Sequence, residues 1–135
     1  MFGLGRKKSV KVVDRYVSAL NARDSGRIAY LLAPDCRFVD SQGDYIEGRE
    51  AIVDATERFF DLEQHYRLSP TTRVERDGEV LLRGSASSDD PRLSTDTLWK
   101  ARVHRGKITH WQSYGPPDAP HLARIIGGTD ARHGR

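Results

Sequence analysis

No run of this chain approaches the roughly 18 consecutive apolar residues that a membrane-crossing helix needs. The opening Met1-Phe2-Gly3-Leu4-Gly5 is also too short and glycine-rich for the apolar part of a secretory leader. Cysteine occurs once, as Cys36, so no internal disulfide can form, which fits a reducing compartment. A lone thiol in an apolar strand pattern reads as buried and inert. The five histidines, at 65, 104, 110, 121 and 133, show no metal-ligand spacing and read as surface residues. Charge of one sign is barely in excess: 22 Lys and Arg against 19 Asp and Glu give +3. Apart from Arg6-Lys7-Lys8 and a few tail positions the basic residues are scattered, with no basic stripe interleaved with aromatics, so nucleic acid is not an expected partner. These absences point to a soluble cytoplasmic protein that binds neither membrane nor nucleic acid and needs no metal.

What is present suits one folded domain. The 135 residues are 37% hydrophobic, with two Trp, five Tyr and four Phe, enough for one core and a ligand cavity. Val10, Val13, Val17 and Leu20 recur at helical spacing over about 9–21, with Tyr16 beside the stripe and Ser9 as expected N-cap. Asp24 caps a short second helix carrying Ile28, Leu31 and Leu32, stopped before Pro34. A strand follows over 36–40, then a polar turn, a short strand at 45–47, and a third helix over 49–62 with Ile52, Ala55, Thr56, Phe59 and Phe60 along one side. From 65 onward the pattern is β: strands at 65–75, with a bulge or edge expected at Pro70, and at 79–88, 94–104 and 107–114, the Asp77-Gly78 and Arg105-Gly106 pairs marking hairpins. Pro116-Pro117 ends the regular structure. The expected organisation is a flexible 1–8, a domain over 9–115, and a mostly irregular tail over 116–135 with one ordered piece near 121–126.

Three helices followed by long antiparallel strands make an α+β plan, in which the sheet curls around the helices and leaves an open mouth. Two polar residues stand out against this frame. Tyr16 sits on the apolar side of its helix, and a buried hydroxyl there needs a partner. Asp40 shares a strand face with Cys36 and Phe38, where a carboxylate would be desolvated. A donor and an acceptor meeting in one apolar pocket suit proton transfer on a carbonyl compound. Trp99, Trp111, Phe38, Phe59, Phe60 and Ser113 are the expected pocket lining. Asp96 is a third candidate acid, although the alternation through Trp99, Ala101 and Val103 turns Thr97 inward and leaves Asp96 needing a bulge.

The stretches Val12-Val13-Asp14-Arg15-Tyr16-Val17-Ser18-Ala19-Leu20-Asn21-Ala22-Arg23-Asp24 and Ile28-Ala29-Tyr30-Leu31-Leu32-Ala33-Pro34-Asp35-Cys36-Arg37-Phe38-Val39-Asp40 resemble the bacterial ketosteroid isomerases. Glu47-Gly48-Arg49-Glu50-Ala51-Ile52 and Gly106-Lys107-Ile108 with Trp111 resemble the wider nuclear transport factor 2-like superfamily, which includes the SnoaL-like, polyketide-cyclase-like proteins. The resemblance covers roughly residues 8–115. It implies a cone-shaped α+β barrel, three N-terminal helices against a strongly curved antiparallel sheet. It also implies Tyr16 as oxyanion donor, Asp40 as the proton-moving acid, no cofactor, and a homodimer, for which Leu82, Ile108 and His110 are candidate contacts. The chain departs from the isomerase pattern in four places. Thr97 stands where the family's second, protonated aspartate is expected, Leu32 and Thr56 replace supporting tyrosines, and Ser41 replaces the proline after Asp40.

The leading expectation is therefore a cofactor-independent acid–base enzyme, isomerase or cyclase, acting on an apolar ring compound of steroid or polyketide type. A non-catalytic binding or scaffolding domain of the same fold, holding a small apolar cyclic ligand, is the alternative. An epoxide hydrolase using Arg83 or Arg102 is a third.

Overall fold

The structure is a computed structural model and describes residues 7–133; the Met1–Gly5 opening and Arg6 lie outside the described residues. Helix α1 spans Lys8–Ala22 and buries Val10, Val13, Tyr16 and Val17. It starts one residue before the expected cap. Ser9 is buried inside the first turn, and no side chain caps the N-terminus at Lys7. The C-terminus turns on Arg23 in the left-handed region, φ 57°. From there the Arg23 guanidinium reaches across to the Glu63 carbonyl at 3.1 Å and lies 5.0 Å above the Phe60 ring. Asn21 pairs with both backbone groups of Leu68 at 2.9 Å, acting as a short length of strand.

Asp24 caps α2, Ser25–Leu31, by accepting from the Arg27 N–H. Strand β1 then begins at once and spans Leu32–Val39, longer at its start than the alternation indicated and with Asp40 just past its end. Pro34 is tolerated because the pairing of β1 is irregular there, its register shifting between Leu32 and Arg37. Next come β2 (Tyr45–Glu47), α3 (Arg49–Leu62), β3 (Arg67–Arg76), β4 (Glu79–Ser87), β5 (Thr95–His104) and β6 (Lys107–Tyr114). Asp77-Gly78 and Arg105-Gly106 have positive φ at both positions, as tight hairpin turns between right-twisted strands require.

The C-terminal stretch is more regular than its composition indicates. It forms α4, Leu122–Gly127, and β7, Ala131–Arg132, which pairs with β2. One seven-stranded sheet results, in the order β3-β4-β5-β6-β1-β2-β7, antiparallel except where β1 runs parallel to β6. This is the expected α+β architecture. No helix among the described residues is long and apolar enough to cross a membrane. Trp99, Val80, Leu82, Ala101 and Ile108 point from the sheet into the core against α1 and α3. Leu82 and Ile108, expected as dimer contacts, are 0% exposed and so face away from any partner. His110 is half-buried on the other face, where burial and then the nearby Lys100, Arg37 and Arg102 hold its pKa below the ordinary value.

The sheet bends where its register shifts between Pro70 and Thr72. Gly84 faces that bulge, and a Cβ on it would lie 2.2 Å from the Ser69 carbonyl oxygen and 2.6 Å from the Pro70 Cα. Both are backbone atoms and cannot swing aside.

Three polar side chains fasten α4. Asp40 Oδ2 accepts from the Ala123 N–H at 2.8 Å, in the first turn of α4. Asp44, 3% exposed, holds His121 Nδ1 at 2.6 Å and Arg124 Nε at 3.1 Å on one oxygen, and His133 Nδ1 at 3.1 Å on the other. Arg58 donates to the Ile126 carbonyl at the far end. Burial alone would raise the Asp44 pKa. The hydrogen bond from His121 and the charges of Arg124 and His121 outweigh it and hold the carboxyl below its usual range.

Two outcomes test these constraints. Gly84→Ala should cost about 1–3 kcal/mol in urea denaturation, because the added methyl forces strand backbones apart. Asp44, with its lowered pKa, stabilises the fold fully above about pH 4, and that contribution is lost as pH falls through the folded-state value. Hydrogen exchange should therefore show α4 loosening first on acidification, and Asp44→Asn should expose it already at neutral pH, at a cost of about 1–3 kcal/mol.

Candidate functional site

The concave side of the sheet, α1, α3 and α4 enclose a cavity of about 80 Å³. Its wall is mainly apolar, and each element contributes one face of its own period. Helix α1 supplies Tyr16 and Leu20, four apart; α3 supplies Ile52, Ala55, Thr56 and Phe59; α4 supplies Leu122 and Ile126, again four apart. Phe38, Trp99, Trp111 and Ser113 come from the strands, as the sequence indicated. Phe60 does not line the cavity; it is turned away, under Arg23.

Two phenols define the polar character of this wall. Tyr16 packs against Trp111 with ring centroids 4.9 Å apart, tilted by 59°. Tyr66 packs edge-on against Phe59 at 4.7 Å. Neither hydroxyl hydrogen-bonds to another described residue, whereas Thr56 is satisfied by the Ile52 carbonyl and Ser113 lies 3.3 Å from the Ser41 hydroxyl. Burial pushes the pKa of both phenols well above the ordinary value, and Cys36 and Tyr66 add to the effect on Tyr16. Burial likewise raises the Cys36 thiol to about 11. All three therefore stay neutral near pH 7, and the two phenols offer fixed hydrogen-bond donors to a guest rather than charge.

Tyr66 was missed in the sequence. It precedes β3 by one residue, and its only signal is the spacing of two to Leu68, which shares its side of the chain. The α4 pair was missed because a six-residue helix in a Gly- and Arg-rich tail carries almost no periodicity.

The carboxylates are placed differently from the phenols. Asp40 is 1% exposed, and its Oδ1 accepts from the backbone N–H groups of Gln42 (2.9 Å) and Asp44 (3.0 Å) while Oδ2 accepts from Ala123. It contributes nothing to the wall around Tyr16. It borders a second chamber of about 40 Å³ with Ser41, Thr97 and Arg92, and Tyr66, Trp99, Ser113 and Leu122 form the shared wall between the two. Thr97 faces this second chamber, as the alternation indicated. Asp96 is exposed on the outer face, in a groove with Arg83 and Thr71, because the β4–β5 ladder runs without a bulge from Ser85–Asp96 to Leu82–Trp99. The structure thus brings Tyr16 together with the expected aromatics and Ser113, and leaves Asp40 and Asp96 outside that cavity. Among the described residues no cluster of His, Cys, Asp and Glu is arranged to hold a metal ion.

Known proteins share this architecture. A protein from Sinorhizobium meliloti described as a candidate polyketide cyclase superposes with a TM-score of 0.71 at 17% identity, over 80% of this chain and 99% of that one. TerC, co-crystallised with polyporic acid, gives 0.71 at 17%, over 82% and 92%. A protein of ketosteroid isomerase-like fold from Catenulispora acidiphila, in complex with trimethylamine, gives 0.71 at 18%, over 81% and 88%. At these identities the likeness is one of fold. No curated protein matches the sequence. The SnoaL-like domain family model matches residues 13–111, most of the chain and every strand from β1 to β5. The chain belongs to the SnoaL-like domain family and has the nuclear transport factor 2-like, ketosteroid isomerase-like fold.

Proposed function

We propose that this domain binds a small, flat, largely apolar molecule whose oxygen accepts hydrogen bonds from Tyr16 and Tyr66. The observation that carries this reading is the pair of phenols, Tyr16 buried and Tyr66 half-buried, on the wall of one largely apolar cavity, neither hydroxyl bonded to another described residue. A hydroxyl that a guest covers without pairing costs about 1–3 kcal/mol, so a guest with a carbonyl or similar acceptor is favoured over a hydrocarbon of the same shape. At about 80 Å³ the cavity is of the order of engineered cavities that take up benzene and well below the roughly 300–1,000 Å³ of drug-sized sites. A guest of one or two rings fits this scale, and a larger one has to move α4.

Binding is favoured over acid–base catalysis for a geometric reason. A general base must reach its substrate's proton within about 3 Å or through one water. Asp40 has its oxygens on three backbone N–H groups and contributes nothing to the Tyr16 cavity. Asp96 faces outward. Two neutral phenols can hold an enolate oxygen, but no carboxylate on that wall generates one.

1-Indanone, which carries a carbonyl, and indane, which lacks it, separate the terms, with quenching of Trp99 and Trp111 as the readout. Indanone should bind more tightly. Tyr16→Phe and Tyr66→Phe should each weaken it by roughly two- to tenfold and leave indane unchanged. Equal losses for both compounds would remove the hydrogen-bonding role. Deuterium exchange at the carbon beside the indanone carbonyl tests the enzymatic alternative directly. Protein-dependent exchange that Asp40→Asn abolishes, with its circular dichroism and its affinity for indane unchanged, would replace the binding reading with acid–base chemistry.

A further inference from the structure

The basic residues that look scattered along the chain converge in space. On the outside of the helical layer, α1 and α2 border an open groove of about 700 Å³ lined by Lys8, Lys11, Arg15, Arg27 and Tyr30, together with Gly106 of the β5–β6 turn. Lys107 joins them: its Nζ lies 3.6 Å from the centroid of the Tyr30 ring and donates to the Tyr30 carbonyl. No Asp or Glu lines the groove. None of Lys8, Lys11, Arg15 and Arg27 forms an ion pair with a described carboxylate; the acids nearby in sequence are taken, Asp14 by Arg73 and Asp24 by the cap of α2. Four uncompensated cations exceed the net charge of the whole chain, +3, so the rest of the surface is close to neutral or acidic.

The arrangement has a direction. Lys8, Lys11 and Arg15 stand at i, i+3 and i+7 on one stripe of α1, about 10 Å from end to end. Neighbours along it are about 4.5–6 Å apart by helical rise, close to the spacing of phosphates along an extended nucleotide chain. Beside the stripe stands Tyr30, 71% exposed even with Lys107 over one ring face, so the opposite face is open. A row of mutually repelling cations in a concavity raises the local positive potential and draws a polyanion in. A flat anionic membrane cannot follow a concave wall, and an aromatic face adds nothing to a simple phosphate. A strand that offers both phosphates and flat bases uses every feature present.

We propose that this groove binds single-stranded nucleic acid, with phosphates on Lys8, Lys11, Arg15 and Arg27 and one base stacked on Tyr30. The groove shares no lining residue with the cavity, so it stands or falls independently of the ligand reading. It also departs from the expectation from the sequence, where only Lys8 of these residues belongs to a basic run and 11, 15, 27 and 107 stand apart.

Fluorescence anisotropy of the intact protein with labelled oligo(dT) of about 12 nucleotides is the test. Binding should saturate, and its logarithm should fall with the logarithm of salt at a slope of about −2 to −3, the value for three or four neutralised phosphates on a single strand. The double reversal Lys11→Glu and Arg15→Glu, both exposed and outside the core, should weaken binding at least tenfold with the circular dichroism unchanged. Tyr30→Ala should weaken oligo(dT) by roughly fivefold or more and leave inorganic polyphosphate unaffected, because polyphosphate has no base to stack. Failure of oligo(dT) to bind, binding indifferent to the double reversal, or a silent Tyr30→Ala would each overturn the proposal. So would sedimentation of the protein with phosphatidylserine vesicles in place of oligonucleotide binding.

Discussion

The carboxylate of Asp40 bonded to three backbone N–H groups is the interaction on which the interior depends. Two of the donors, at Gln42 and Asp44, set the turn that leads from β1 into β2. The third, at Ala123, is an otherwise unpaired donor at the start of α4. One side chain thus fixes a turn and caps a helix 83 residues further along the chain. Charge-assisted hydrogen bonds of this kind are worth about 1.5–3 kcal/mol each, and inside a protein they exclude alternatives as well as add stability. Asn in this place would keep one acceptor oxygen and set an N–H₂ against a backbone N–H, so it is not a neutral replacement.

Because α4 is a single turn and a half of helix, it cannot persist by itself. Its position is imposed by Asp40 from one side, by Asp44 through His121, Arg124 and His133 from another, and by Arg58 at its end. Leu122 and Ile126 then become wall, and the mouth between sheet and helices is narrowed to a part-open cavity. The polar fastening and the apolar enclosure are two faces of one short helix. Stability of that helix and access to the cavity are therefore coupled, since any guest larger than the present volume has to work against the Asp44 ion pairs.

Much of this was legible in the sequence because periodicity reports burial. The α1 valines, the α3 stripe and the alternation through Trp99 and Ala101 carry the α+β plan, the hairpins and the placement of Tyr16, Phe38, Phe59, Trp99, Trp111 and Ser113. The failures have a common physical origin. Asp40 was read as an acid facing the pocket because it shares a strand period with Cys36 and Phe38, but it lies one residue past the strand, where period no longer dictates direction. Its partner at Ala123 is a long-range contact with no local signature. Phe60 belongs to the apolar side of α3, and only the reach of Arg23 from the end of α1 decides that it packs there and not in the cavity. Tyr66 precedes its strand, where alternation is weakest.

The resemblance to the isomerases and the geometry meet at Tyr16 and part at Asp40. A phenol in an apolar hollow is useful to any guest that carries an oxygen acceptor, whatever happens to its protons. An aspartate is a base only if it presents an oxygen to that guest. The same fold accommodates either use, because the distinction rests on where two oxygens point and not on any element or register. In this chain the turn after Asp40 folds back so that the N–H groups of Gln42 and Asp44 converge on the carboxylate. The Ser41 hydroxyl itself accepts from the Gly115 N–H and sits 3.3 Å from Ser113, tying the turn to the end of β6. A few residues after β1 thus hold the acid on the scaffold and outside the cavity, and leave the two phenols on the wall as the donors that the proposed ligand site relies on.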